Sequence, residues 1–116
     1  MPHILLETTA DLPENSAIPD ILEALTAKLA SYDTIDSKSL KAYHGLRSNW
    51  AMGEGAPAGF AHCCVQILSG RPLDLRRDIA QGMYDELRRH FAESIRACEV
   101  SITLELREMD RETYCK

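Results

Sequence analysis

The sequence predicts a single α+β domain over residues 1–116, in which two long helices pack on one face of a mixed, mainly parallel sheet. Apolar residues recur at helical spacing in two segments, and each segment lies between shorter apolar runs of strand length. The order strand–helix–strand therefore occurs twice, over about 2–46 and about 59–107, as in two pseudo-repeated β-α-β units. Right-handed crossovers place both helices on one side, so we expect a homo-oligomer to cover the other.

Two elements define the first unit. Residues 2–8 are predicted to form a short buried strand. Apolar side chains then recur every three or four positions between Ile18 and Leu29, which predicts a helix over about 17–31. A short strand is expected from Leu40 to Leu46, after the helix.

The second unit follows a loop at 52–57 that contains two glycines and a proline. The near-continuous apolar run at 59–68 is typical of a strand covered on both faces. A four-residue apolar spacing predicts a helix over about 73–96, and clean alternation predicts a strand at 99–107. The polar tail from Met109 onwards is expected to pack on a neighbouring subunit or to fray.

Composition narrows the class of protein. The chain has 45% hydrophobic and 27% charged residues, which suffices for one core in a domain of this length. A formal net charge of −5 argues against nucleic acid or an anionic membrane as a partner. No apolar stretch has the length of a membrane span and no secretory signal pattern is present, so we expect a cytoplasmic protein.

The cysteines and histidines are not spaced as metal ligands. The four cysteines include no C-x-x-C pair, and the four histidines are scattered along the chain. We therefore expect reduced thiols, with no disulfide and no bound metal. Cys63 and Cys64 are predicted to be small core residues, because no basic partner is evident nearby.

Pro2 is the first candidate for a chemical role. Removal of Met1, which a small second side chain permits, would leave a free secondary amine on Pro2. The unperturbed pKa of such an amine is about 8, and a dry pocket with a nearby cation would lower that pKa. An amine that titrates near neutrality is suited to proton transfer next to a carbonyl group.

Four segments together carry a family resemblance. Residues 1–7 (MPHILLE) resemble the start of proteins in the tautomerase superfamily. Residues 50–55 (WAMGEG), 60–62 (FAH) and 67–71 (ILSGR), followed by a long helix, resemble the 5-carboxymethyl-2-hydroxymuconate isomerase family. The order and spacing of these segments extend the resemblance over essentially the whole chain.

The resemblance implies a homotrimer whose sheets line the interior and whose helices lie outside. It also implies ketonisation of a small anionic substrate, a dienol with three carboxylates, in the bacterial degradation of homoprotocatechuate. The reaction is expected to be a 1,3-proton shift, in which the amine of Pro2 moves the proton from the 2-hydroxyl side to C-5. Neither a cofactor nor a metal takes part.

Three cations are candidates to bind the substrate carboxylates or the developing dienolate. Arg71 follows the second long strand in a turn at 69–72, and its planar fork suits a carboxylate. The second cation is either Lys41 or Arg47. Lys41 would be a point charge where the family has an arginine, which leaves the precise substrate open.

Trp50 and His62 are further candidates for the pocket. The alternative for Trp50 is simple packing, and the alternative for His62 is a hydrogen-bonded histidine in the core. His3 would point away from Pro2 on a strand and is expected to be a structural or interface residue. Two other functions remain open: a non-catalytic binding or oligomerisation module with the same fold, and a tautomerase for a smaller 2-oxo acid.

Overall fold

A computed structural model describes residues 1–116 as one four-stranded sheet with helices on one of its faces. In chain order the elements are β1 (His3–Thr9), α1 (Ile18–Ala30), β2 (Lys41–Arg47), β3 (Gly59–Leu68), α2 (Leu73–Arg89), α3 (Ala92–Arg96) and β4 (Val100–Met109). Short 3₁₀ turns at Pro13–Ala17 and Ser37–Ser39 precede α1 and β2.

The sheet has the strand order β2-β1-β3-β4. The outer pairs, β1 with β2 and β3 with β4, are parallel, and in each pair a helix makes the crossover. The two middle strands, β1 and β3, run antiparallel. This arrangement confirms the predicted α+β class with a mixed, mainly parallel sheet.

The core lies between the sheet and the two long helices. Alternate residues of β1 and β3 point toward the helices, as the period of a strand requires. Each helix contributes one apolar stripe to the same layer. The side chains at the centre are less than 2% exposed: Ile4, Leu6, Ala61, Cys63, Val65, Ile67, Ile21, Leu25, Leu29, Ile79, Met83 and Leu87.

The predicted helix at 73–96 is two helices in the structure. The long helix α2 ends at Arg89, where the amides of His90 and Phe91 bond to carbonyls three residues back. The carboxylate of Glu14 accepts bonds from the amide and hydroxyl of Ser94 in the short helix α3. Fully buried Phe91 keeps the apolar spacing across the break, which is why the sequence pattern does not reveal it.

The opposite face of the sheet has no helix over it. Leu5 lies opposite Cys64 in the middle of this face. Tyr43 on β2 is 46% exposed there, which is high for a large apolar side chain. Strand β3 was expected to be covered on both faces. Within one chain it is covered on one face only.

None of the helices combines the length and the apolar character needed to cross a membrane.

A glycine at the start of β3 is required by close packing. A Cβ added to Gly59 would lie 2.6 Å from Asp11 Oδ1 and closer still to Thr9 Oγ1. We therefore predict that Gly59→Ala lowers the free energy of unfolding by about 1–3 kcal/mol through overpacking. Chemical denaturation measures this, and the matched control is Gly53→Ala, where a Cβ meets open space. Equal stability of the two variants would contradict the packing argument.

Candidate active site

One end of the sheet carries a cavity of about 200 Å³. Its walls come from the amino terminus, from residues 34–36 after α1, from residues 67–71 at the end of β3, and from the carboxyl-terminal tail. Pro2 and Arg71 both line it. The structure therefore brings these two predicted site residues together.

Strand register explains why four distant segments meet at this end. His3 at the start of β1 lies opposite Lys41 at the start of β2 and opposite Gln66 near the end of β3. Leu68, the last residue of β3, lies opposite Met109, the last residue of β4. The starts of β1 and β2 and the ends of β3 and β4 thus lie at one end of the sheet. The segments beyond them enclose the cavity.

The amino terminus lies inside this enclosure. Pro2 is buried, and the Met1 ammonium donates a hydrogen bond of 2.7 Å to Ser39 Oγ. Burial lowers the pKa of this amine, and the positive charges of Lys116, Lys41 and Arg71 act in the same direction. The negative charge of Asp36 opposes them. Burial is therefore the chief reason that the neutral amine is favoured, and Asp36 opposes it.

Arg71 is held by backbone and hydroxyl oxygens rather than by a carboxylate. Its Nε donates to Thr34 Oγ1 at 3.0 Å, Nη2 to Thr34 O at 2.6 Å and Nη1 to Leu68 O at 3.0 Å. Three of the five N–H donors of the guanidinium are thereby used and two remain. Burial, and then the charge of Arg111, lowers the pKa of Arg71, which nevertheless stays charged at neutral pH.

The turn that presents Arg71 depends on its glycine. Gly70 has φ of 122°, a conformation that L side chains rarely adopt. Pro72 then precedes the first residue of α2 in extended conformation. The Gly-Arg-Pro order thus turns the chain sharply between β3 and α2 and leaves Arg71 at the cavity wall.

Two cations of the cavity, Arg111 and Lys116, were missed by the sequence analysis. They belong to the tail, which packs on its own chain here. The Arg111 guanidinium donates to Ser69 O through Nε at 3.1 Å and Nη2 at 3.0 Å. Tyr114 bonds through its hydroxyl to His3 Nε2 at 2.8 Å. The register of β4 against β3 directs the tail to this cavity, and the sequence alone does not reveal that register.

Lys41 and Arg47 do not line the cavity within one chain. Lys41 is exposed at the start of β2, where its Nζ lies 3.4 Å from Ser39 O, and its charge is felt at the Met1 amine. Arg47 lies at the far end of the same strand, roughly 20 Å away at the rise of a strand. There it forms an ion pair with Glu7, with Nε donating at 2.7 Å.

Trp50 and His62 also lie outside the cavity of a single chain. The Trp50 indole donates a hydrogen bond of 2.9 Å to Ala58 O and so closes the loop before β3. His62 Nδ1 bonds to Thr103 Oγ1 at 2.7 Å on the sheet face without helices. The cavity role of both residues stays a prediction that requires a second subunit.

The neighbouring thiols do not contribute a nucleophile. Cys63 is fully buried on the helix side of β3, and burial, reinforced by Cys64, raises the pKa of its thiol to about 12. Burial also raises the pKa of Cys64. Both thiols are therefore protonated at neutral pH, and the reactive groups at this end of the molecule are the amine and the cations.

Comparison of the chain with known proteins identifies its family. The profile of the 5-carboxymethyl-2-hydroxymuconate isomerase family matches residues 2–116. A relative from Escherichia coli, named 5-carboxymethyl-2-hydroxymuconate Delta-isomerase, is 20% identical over 110 residues, which are 94% of this chain and 87% of that protein.

Solved structures agree with the sequence match. A 5-carboxymethyl-2-hydroxymuconate isomerase from Deinococcus radiodurans R1 superposes with a TM-score of 0.89 at 26% identity, over 99% of this chain and 87% of that one. A structure described as a fused 4-OT wild type symmetric trimer superposes with a TM-score of 0.75 at 14% identity, over 98% and 90% of the two chains. The latter likeness is one of fold. The resemblance seen in the sequence is confirmed: the chain belongs to the 5-carboxymethyl-2-hydroxymuconate isomerase family and is an isomerase with the tautomerase fold.

Proposed function

We propose that this isomerase ketonises a dienol acid of the 5-carboxymethyl-2-hydroxymuconate class, with the amine of Pro2 as its acid and base and without a cofactor. The observation that carries the proposal is that Pro2 and Arg71 line one cavity. A base and a fixed cation within one small enclosure are what proton transfer along an anionic dienol requires.

The amine is produced by removal of Met1, which itself occupies part of the cavity wall. Removal opens that space and converts the Pro2 nitrogen from an amide into a secondary amine. Burial and the surrounding cations that lower the pKa of the Met1 amine act on this nitrogen as well. A lowered pKa raises the neutral, basic fraction of the amine at pH 7.

The reaction is an isomerisation whose atoms balance within the substrate. The neutral amine takes the proton of the 2-hydroxyl group, so the O–H bond breaks and a dienolate forms. The ammonium then returns a proton to C-5, where a C–H bond forms as the C=O bond is completed and the remaining double bond moves into conjugation. For this conjugated substrate the transfer is a 1,5 shift, not the 1,3 shift of a simple enol.

Arg71 supports this chemistry as a fixed cation. Its bonds to Thr34 and Leu68 hold the guanidinium in place before substrate arrives. The two remaining donors bind a carboxylate or the dienolate oxygen at no cost of reorganisation. This arrangement stabilises negative charge where it develops in the transition state.

We further propose that the protein is a homotrimer. The sheet face without helices carries half-buried and exposed apolar side chains, among them Tyr43 and Leu5, which a second subunit would cover. In such an assembly a neighbour supplies the second cation, Lys41 or Arg47, and the candidate pocket residues Trp50 and His62.

We predict that a leucine inserted between Met1 and Pro2, which keeps the Pro2 ring but makes its nitrogen an amide, lowers kcat/KM for 2-hydroxymuconate by about a hundredfold or more, because general acid–base catalysis contributes that much. Ultraviolet absorbance follows loss of the dienol, and intact mass verifies that Met1 is absent from the unaltered protein. The matched comparison is Pro2→Ala, which keeps a primary amine after Met1 removal and is expected to lose less activity. If the Met1-free protein consumes no dienol faster than buffer does, the chain is a binding or oligomerisation module.

We predict that Asp36→Asn moves the acidic limb of the kcat/KM profile to lower pH. The base must be unprotonated, so activity rises with pH through the pKa of the amine. Asp36 stabilises the charged amine, and its neutralisation lowers that pKa. The amide keeps the acceptor for Lys38 N. Asp20→Asn, at an exposed position of α1, is the control, and a shift in the opposite direction would exclude the amine as the base.

We predict a solution mass three times that of the 13.0 kDa subunit. Light scattering coupled to size-exclusion chromatography at micromolar concentration measures it. A monomeric mass would show that the uncovered sheet face stays in water and that every active-site residue comes from one chain.

A further inference from the structure

The cavity has an excess of positive charge that Pro2 and Arg71 do not account for. Three basic side chains line it, Arg71, Arg111 and Lys116, and Asp36 is the one acidic side chain in its walls. Arg71 is half-buried, whereas Arg111 and Lys116 are exposed, so these charges are accessible to an incoming anion. The number of cations exceeds what a single substrate carboxylate requires.

The two arginines are fixed side by side by successive carbonyls. Arg71 Nη1 donates to Leu68 O, and Arg111 donates to Ser69 O. Their mutual repulsion contributes to the lowered pKa of Arg71. Neither forms an ion pair, a property they share with Arg77, Arg88 and Arg96 on the helices, but among the unpaired arginines only these two line the cavity.

Glu108, an acid that contacts this turn, already has a basic partner. Glu108 Oε1 lies 3.5 Å from Arg76 Nη1, and Glu108 Oε2 accepts a bond of 3.4 Å from Gly70 N. It therefore neutralises Arg76 at the outer side of the turn. The charges of Arg71 and Arg111 are left for a ligand.

Arg111 has the donors that a carboxylate needs. Its Nε and Nη2 share one acceptor, Ser69 O, which occupies the edge of the guanidinium that these two nitrogens form. The other edge, between Nη1 and Nη2, keeps two N–H groups that make no bond to the protein. Two parallel donors on a planar cation fit the two oxygens of a carboxylate.

We propose that Arg111, assisted by Lys116, binds a second carboxylate of the substrate, distal to the reacting enol, and so selects dienols with at least two carboxylates. This inference rests on the proposed function of the same cavity. Arg71 then binds the substrate at the reacting enol, and Arg111 and Lys116 of the tail bind its distal carboxylate. A substrate with one carboxylate leaves the Arg111 fork without a partner.

The carboxyl-terminal tail is suited to this role because hydrogen bonds other than those of the Arg111 guanidinium hold it in place. The Arg111 amide donates to Ser69 Oγ at 3.2 Å, and the Tyr114 hydroxyl bonds to His3 Nε2 at 2.8 Å. These bonds fix the backbone on both sides of the segment. The free edge of Arg111 is therefore ordered before a ligand binds, which lowers the entropic cost of binding.

The first test compares 2-hydroxymuconate, which has two carboxylates, with 2-hydroxypenta-2,4-dienoate, which has one. We expect Arg111→Gln to lower kcat/KM about tenfold or more for the first, chiefly through KM, and less than about twofold for the second. Lys116→Gln should give a smaller loss with the same selectivity. Arg96→Gln, which removes an exposed charge on α3, is the matched control. Equal losses for both substrates, or no loss for either, would overturn the proposal.

The second test needs no turnover and so separates this inference from the proposed function. The dicarboxylate cis,cis-muconate lacks the hydroxyl proton, and calorimetry measures its binding to the Met1-free protein. We expect Arg111→Gln to weaken binding about tenfold and Arg111→Lys, which keeps the charge but loses the fork, to weaken it less. Should Arg111→Gln fail to fold, Arg111→Lys and Lys116→Gln decide the result. Unchanged affinity in both would refute the second carboxylate position, whether or not the protein turns over a dienol.

Discussion

The antiparallel pairing of β1 with β3 is the constraint on which the rest of the molecule depends. It joins the two β-α-β units, and its register sets the start of β1 beside the end of β3. A slip of one residue would turn Ile4 and Leu6 away from the helices and exchange the two faces of the strand. The same slip would move Pro2 relative to the turn that carries Arg71, so core packing and the site are fixed by one set of hydrogen bonds.

The cavity keeps its positive charge because its two arginines are hydrogen-bonded to uncharged oxygens and not to carboxylates. Carbonyl and hydroxyl groups orient the Arg71 and Arg111 guanidiniums without neutralising them. Elsewhere, Arg47 and Arg89 are paired with the glutamates Glu7 and Glu86. A protein with a net charge of −5 thereby keeps one positive enclosure, where an anionic ligand is attracted and an amine loses its proton readily.

Elements with a regular apolar period were predictable from the sequence, because side-chain burial imposes that period directly. The helix break at His90 was not, since buried Phe91 continues the apolar pattern across it and the bond from Ser94 to Glu14 joins residues distant in sequence. Pro2 and Arg71 were singled out through residue chemistry and family resemblance, and the structure places both at the cavity wall. Arg111 was missed because only the β3–β4 register brings the tail to the cavity, and short polar tails carry no periodic signal.

The hydrogen bond between His3 and Tyr114 spans 111 positions of sequence, so it closes nearly the longest loop that this chain can form. Contacts of such separation cost the most chain entropy and are expected to form late in folding. The two β-α-β units can assemble around their helices while the cavity is still open. A ligand held between the two ends of the chain would then bind, and stabilise, only the fully folded protein. Protection from proteolysis by such a ligand would therefore measure the population of fully folded protein and not that of a collapsed intermediate.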